Sequence, residues 1–384
     1  MEKLYKDFLS IIKCGITGDK AEDTSALFDW KSLYAISNVH KIRMMFYYGL
    51  LKGGFSVPDE VLGVVKNKAF LETAFSMRQQ AEMEDVFKKL EDNEIDFLPL
   101  KGSIMKYMYP SPDMRLMSDV DILIKEEQYD KIKEILKESN YEYEVESDHE
   151  LVWKKSTLCL ELHKRLVPTN NKDFYEYYGN GWKTATRCEG THYYMSDEDF
   201  FIYMFLHFAK HYRDSGIGIR HIVDLWVCLK NNELDMEYIE GELKKLSLYE
   251  FYKNIKKTLD VWFEGGEETP ETELITEWIF ESGVYGTAEN NAVSRAIRKE
   301  DEGKTSKIKT YFRAFFPSYK AMSRLYPILK KAAVLTPVFW IWRLIERAFS
   351  GSDRLKKINE DMKVQTEDNK STYKELLDKV GLKL

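Results

Sequence analysis

Two aspartates one residue apart, Asp119 and Asp121, sit in SDVDILI (118–124), a run that reads as a strand. Side chains at i and i+2 of a strand project to one face, roughly 6.5–7 Å apart. The two carboxylates therefore point together while Val120, Ile122 and Ile124 face a core. Neighbouring carboxylates repel, and burying them unpaired is costly. A divalent cation resolves the conflict, and hard oxygen ligands suit Mg2+. Two such ions about 3.5–4 Å apart clamp the attacking and leaving oxygens of a phosphoryl displacement. Upstream, the short apolar run Phe97–Leu100 carries Pro99 and reads as an edge strand. Lys101-Gly102-Ser103 ends it, with Ser103 placed to cap a helix over Ile104–Tyr109 that Pro110 and Pro112 close. Backbone N–H groups at such a turn suit a phosphate, and glycine lets the ligand approach closely.

The surrounding elements must hold these groups. Residues 126–140 predict an amphipathic helix with Tyr129, Ile132, Ile135 and Leu136 inward, ended by Asn140. Tyr141–Val145 alternates as a strand, and His149–Lys154 and Thr157–Arg165 read as two more, a hairpin about Lys155-Ser156. In the last strand Leu158, Leu160 and Leu162 face one way, and Cys159, Glu161 and His163 the other. A polar face on an apolar strand requires a partner for its carboxylate. Residues 1–92 read as helical, with Gly53-Gly54 ending one run and Pro58 opening a helix that continues to about Asp92. His40 stands alone there and reads as structural. Pro168–Gly190 is polar and predicts a loop able to cover the site. Ser196-Asp197-Glu198-Asp199 starts a helix over 200–214 with its acids at the favourable end of the dipole. On that helix His207 and His211 share a face, with Lys210 beside them; the spacing can bind Zn2+, but the helix offers no third ligand. Beyond Gly216 and Gly218, Arg220–Leu229 predicts another helix. Its His221 and Asp224 are two residues apart, unlike the adjacent pair of metal-dependent phosphohydrolases.

Composition sets the outer bounds. The 384 residues are 44% apolar and 14% aromatic, enough for two packed units. The regions expected are an N-terminal helical region (1–92), an α/β core (93–195), a helical domain bordering the site (196–303) and a basic aromatic helical region (304–384). Cys14, Cys159, Cys188 and Cys228 form no CxxC pair, which argues against a zinc site or disulfide framework and for a reducing compartment. The first residues lack the unbroken apolar core of a signal peptide, so a cytoplasmic protein is expected. The apolar run Ala332–Trp342 is too short to span a bilayer and Pro337 interrupts it, so no transmembrane segment is expected. Net charge is −7, yet residues 304–384 hold 18 Lys+Arg against 8 Asp+Glu. That basic tail either packs on an acidic body or, through the aromatic stretch 304–347, meets an acidic partner such as RNA or an anionic membrane surface. Gly351 onward predicts a charged helix ending near Val380.

The run LKGSIMKYMYPSPDMRLMSDVDILI (100–124) resembles the bacterial family described as uncharacterised nucleotidyltransferase, within the nucleotidyltransferase (DNA polymerase beta-like) superfamily. The superfamily signature is Gly-Ser followed by Asp-x-Asp on the next strand. ELHKRL (161–166), FLHFAKH and RHIVDL within 205–225, ESGVYGTAENNAVSR (281–295) and, weakly, DWKSLYAISNVHKI (29–42) extend the likeness. Fifteen residues separate Ser103 from Asp119, slightly more than the superfamily commonly shows, and the extra ones fall in the Pro-Ser-Pro loop. The resemblance implies an α/β (α+β) fold, a small mixed sheet flanked by helical regions. It also implies an enzyme that uses Mg2+ to move a nucleoside monophosphate (NMP) from a nucleoside triphosphate (NTP), ATP among them, to an acceptor hydroxyl, releasing pyrophosphate. On that reading Asp119 and Asp121 hold two Mg2+ ions, and Glu161 is the third carboxylate, binding metal or drawing the acceptor's proton. Gly102 and Ser103 hold the β- and γ-phosphates, and His207, Lys210 and His211 border the triphosphate, with a structural role the alternative for both histidines; by proximity alone, Lys101 or Arg115 neutralises charge. The acceptor is open between a small molecule or glycan and, as in toxin–antitoxin transferases, a protein. A nucleotide-binding module without catalysis is the third reading.

Overall fold

Alternating apolar residues between positions 97 and 163 build a five-stranded mixed sheet: β1 (Phe97–Pro99), β2 (Val120–Ile124), β3 (Glu142–Glu146), β4 (Glu150–Lys155) and β5 (Leu158–His163), in the order β1-β2-β5-β4-β3. The computed structural model describes residues 1–21, 27–169, 171–301, 316, 318–350 and 364–383. β1 runs antiparallel to β2, β4 pairs antiparallel with both β5 and β3, and β2 and β5 are parallel. The β4–β5 hairpin turns at Ser156-Thr157, where Ser156 takes a positive φ of 52°. β3 is an exposed edge of sequence EYEVE, and its charges discourage pairing with another chain.

The helices preceding the sheet are α1 (Lys3–Thr17), α2 (Trp30–Val39), α3 (Arg43–Lys52) and α4 (Asp59–Asp92); α5 (Gly102–Met105) and α6 (Tyr129–Glu138) lie within its span. After it come α7 (Lys172–Tyr178), a short ribbon of β6 (Thr186–Arg187) and β7 (Tyr193–Tyr194), then α8 (Asp197–Asp214), α9 (Ile219–Asn231), α10 (Met236–Lys245), α11 (Tyr249–Leu259) and α12 (Pro270–Ser282). These belong to a compact unit of Met1–Tyr212, Gly216–Gly286 and Asp378–Lys383. A second unit, Arg213–Ser215 with Thr287–Leu377, contains α13 (Ala288–Asp301), α14 (Tyr319–Leu325), α15 (Thr336–Ser350) and most of α16 (Glu367–Lys379). Tyr311, Phe312 and Phe315 of the basic aromatic stretch, and residues 351–363 of the charged tail, lie outside the described residues.

The two faces of the sheet divide by polarity. Val120, Ile122, Ile124, Leu151, Trp153, Leu160 and Leu162 form one core with Met83, Val86 and Leu90 of α4 and Tyr129, Ile132 and Leu136 of α6. Burying each such side chain contributes about 1.5–3 kcal/mol. The other face carries Asp121, Glu161 and His163, and α8 and α9 border the cavity above it. α9 is fixed to the loop before Asp119 by a buried polar cluster. Asp224 accepts from Arg115 Nε (2.8 Å) and from the Tyr109 hydroxyl (2.8 Å). The same loop is tied to the N-terminal helices through Asp113, which accepts from Thr73 of α4 at 2.8 Å and Tyr48 of α3 at 3.2 Å. His40 is buried as a structural group: its Nδ1 accepts from the Ile219 N–H and its Nε2 faces the Phe280 carbonyl, both at 3.2 Å.

Two local expectations are corrected. α5 begins at Gly102, and Ser103 does not cap a helix; its buried hydroxyl donates to the Leu100 carbonyl at 2.6 Å. The stretch 168–190 is not simply a loop. It contains α7, whose Phe174 and Tyr178 are buried, so aromatic burial overrides the local polarity of NNKDFYEYYGN. Because the Arg115–Asp224 pair is fully enclosed, removing one partner strands a buried charge. Asp224→Ala is expected to cost about 3–5 kcal/mol of stability, read as a shift in urea midpoint at unchanged slope.

Candidate active site

Parallel pairing of β2 and β5 sets Asp121 directly opposite Glu161. Asp119 lies immediately before β2, two residues from Asp121, so three carboxylates reach the same cavity. Asp121 is 2% exposed. Its Oδ1 accepts from both Lys101 Nζ (2.7 Å) and His163 Nε2 (2.8 Å). His163 Nε2 also stands 3.7 Å from Glu161 Oε2. Among the described residues, neither Asp119 nor Glu161 receives a hydrogen bond comparable to these.

The electrostatics follow from that uneven sharing. Against the cost of burial, the Lys101 ammonium and the His163 hydrogen bond hold Asp121 well below the usual carboxylate range. Burial and then the neighbouring charges of Asp121 and Asp119 push Glu161 up to about 8. Burial and Asp121 also raise Asp119. Burial lowers His163, so its ring is neutral and Nε2 carries the proton given to Asp121. Its Nδ1 is buried without a partner.

The cavity, about 450 Å³, gathers most of the residues singled out from the sequence. Lys101, Gly102, Arg115, Asp119, Asp121, Glu161, His207, Lys210 and His211 all line it; Ser103 does not. Lys101 occupies the turn between β1 and α5 with a φ of 48°. A Cβ at Gly102 would stand 3.0 Å from Met117 Cγ, so the turn accepts a side chain only if Met117 gives way. Arg115 is committed to Asp224 and to the Leu116 carbonyl. The His207 and His211 rings are 4.4 Å apart. Burial, then nearby cations, pushes His207 well below the usual imidazole range and His211 down to about 3, so both are neutral at pH 7.

Other lining residues were not assigned to the site by sequence reasoning. Arg220 is 5% exposed. Its Nη1 donates to the Leu116 carbonyl over a long 3.4 Å, and among the described residues its Nε has no partner. Burial and the like charge of Arg115 push it down to about 10. His221 lies beside it. His149 and Glu150, hydrogen-bonded at 3.2 Å, occupy the other end. At the mouth, the Tyr285 hydroxyl meets Ser118 Oγ (2.6 Å) and Lys41 Nζ (3.0 Å). The stretch ESGVYG thus supplies a wall residue. Arg220 and His221 were visible as polar residues near a helix start, but only the fold shows that they face the carboxylates.

The donor set suits a cation. Asp121, Glu161 and His163 offer ligand atoms within 4.8 Å of one another, as do His149, Glu150 and His163. The His207–His211 pair belongs to neither of these groups, the two found among the described residues.

Residues 26–264 match the family model described as uncharacterised nucleotidyltransferase. The chain belongs to this family. The nucleotidyltransferase shows no match among curated proteins. Of solved structures, the solution structure of the antibiotic-resistance factor ANT(2'')-Ia is similar with a TM-score of 0.34 and 11% identity, covering 47% of this chain and 96% of that one. Family membership makes the protein an enzyme that transfers a nucleoside monophosphate. Its mixed sheet with helical flanks is the fold that the resemblance implied. Among the described residues of this nucleotidyltransferase, no helix is long and apolar enough to cross a membrane.

Glu161 carries a signature that can be tested in the metal-free protein. Its folded-state pKa of about 8 lies above its unfolded value, so the folded state binds more protons between about pH 4.5 and 8, and stability falls as pH rises through that window. Glu161→Gln removes the penalty. Thermal unfolding in chelator is expected to show a gain in Tm for the variant that is small at pH 5 and grows towards pH 9.

Proposed function

We propose that the enzyme transfers an NMP from an NTP to a hydroxyl of a small molecule or glycan, releases pyrophosphate and depends on two Mg2+ ions. The observation that carries this reading is the register of Asp121 against Glu161 on adjacent parallel strands, with Asp119 beside them. Asp119, Asp121 and Glu161 would hold the ions, since all are hard oxygen donors and two of them lack a strong hydrogen-bond partner. When bound, Mg2+ neutralises triphosphate charge and polarises the phosphoryl group that is transferred.

The chain's own groups divide the remaining work. Glu161, opposite Asp121 in the strand register, would take the acceptor's proton once bound cations have favoured its ionised form. Lys101 and His163 keep Asp121 ionised and oriented. Gly102 lets a phosphate approach the start of α5, while Lys210 and Arg220 offer it positive charge. His207 and His211, neutral under their cationic neighbours, donate or accept hydrogen bonds without adding to that charge. A cavity of about 450 Å³ falls within the range of small-molecule sites, which favours a small acceptor over a protein surface.

Asp119→Asn or Asp121→Asn is expected to abolish transfer of label from NTPs labelled at the α-phosphate, with the fold retained by circular dichroism. Arg220→Ala is expected to raise the KM for NTP about tenfold or more, the loss of one hydrogen bond to a charged group. His163→Asn is expected to weaken Mg2+ binding about 10–100-fold, as loss of an orienting partner does. Incubating the enzyme with each of the four labelled NTPs, Mg2+ and cell extract tests the reading as a whole. Label on small molecules or glycans supports it, and label on protein bands moves the acceptor to a polypeptide. Calorimetry that detects no Mg2+-dependent NTP binding would reduce the protein to a module without catalysis.

A further inference from the structure

Among the described side chains of α15, apolar residues fall on both a buried and an exposed side. Phe339 packs against Tyr326 with ring centroids 4.9 Å apart, and Trp340 meets Phe316 at 5.4 Å. Thr336 and Arg343 are also buried. The opposite side carries Val338 (59% exposed), Ile341 (60%) and Trp342 (54%). At 100° per residue these three fall within one narrow sector of the helix. The 3-10 turns just before it add Ile328 and Val334, the latter 84% exposed. An apolar surface concentrated in this way is unusual for a protein that meets only water.

The charge of the same stretch says what would cover it. Residues 304–347 contain ten Lys+Arg and a single acidic residue, Glu346, in a chain whose net charge is −7. Lys330 and Lys331 are exposed between Ile328 and Val334. A nucleic acid would use the cations but has no use for an exposed apolar face, whereas a bilayer with anionic headgroups uses both. The helix is 15 residues long, about 22 Å, and it is not a membrane-crossing helix. Its geometry suits lying in the plane of the interface, with the aliphatic side down and tryptophan at headgroup depth.

We propose that the exposed face of α15 and the turns preceding it form an interfacial anchor that docks this protein on a bilayer bearing anionic headgroups. None of the anchor residues is among those that line the transfer cavity, so the two readings can fail independently.

The test is flotation of the full chain with vesicles of phosphatidylcholine alone or with about one third phosphatidylglycerol. Binding to the anionic vesicles is expected to exceed that to the neutral ones by at least about tenfold, and to weaken as salt screens the lysines. Ile341→Glu/Trp342→Glu, which alters only exposed positions, should lose flotation while keeping transfer of label in solution. Lys330→Glu/Lys331→Glu should weaken binding to anionic vesicles and leave the little binding to neutral ones unchanged. Failure of the wild type to float, or flotation unaffected by Ile341→Glu/Trp342→Glu, would overturn the proposal. A wild-type dimer that this variant converts to monomer would overturn it too, by assigning the face to a second copy of the chain, as would retention on immobilised RNA without vesicle binding.

Discussion

Like charges brought side by side on neighbouring strands are the constraint around which the transferase unit is built. A parallel pair sets Asp121 against Glu161 on the same face of the sheet. Lys101 and His163 meet this by converging on one oxygen of Asp121, which settles that carboxylate and leaves Glu161 to carry the repulsion as a raised pKa. The site is thus asymmetric before any ligand arrives: one acid is held towards its ionised form and another away from it. A site meant only to be stable would have an apolar pair at these positions.

The helices facing the sheet repeat the pattern in positive charge. Arg115 is paired with Asp224 in a buried cluster, whereas among the described residues Arg220, a helical turn away from Asp224 on α9, meets a carbonyl alone. One guanidinium locks α9 to the loop carrying Asp119, and the other keeps hydrogen-bonding capacity in reserve. Neutral histidines fill the wall between cations. His207, His211 and His221 are all pushed down by burial and by nearby positive groups. The wall sets these polar groups among apolar ones such as Met204, Ile217 and Val284.

What was legible in the sequence was local. The Asp-Val-Asp step in an apolar strand, the outward Glu161 of LCLELH, the long helix after Pro58 and the histidine pair on α8 all follow from periods of two or 3.6 within one element, and each lies where those periods put it. The contacts that give the site its electrostatics were not legible, because they join residues far apart in the chain. Arg115 to Asp224 spans 109 positions and Asp121 to His163 spans 42. Asp224 was read only beside His221, as a pair too widely spaced for a phosphohydrolase, and its partner Arg115 lay out of view. Ser103 failed for a different reason: a hydroxyl near a helix start can donate to a carbonyl behind it instead of accepting from an N–H ahead, and here it donates to Leu100.

Lys101 joins two duties that the fold cannot separate. Its backbone makes the sharp turn from β1 into α5 at a φ of 48°, a conformation that costs a residue with a side chain about 1–3 kcal/mol and that glycine would adopt freely. Its ammonium is at the same time the counter-ion of Asp121. Relaxing the turn with glycine would leave the aspartate half supported, and keeping the cation keeps the strain. The shape of the main chain and the ionisation of an acid twenty residues away are therefore set by one choice of amino acid.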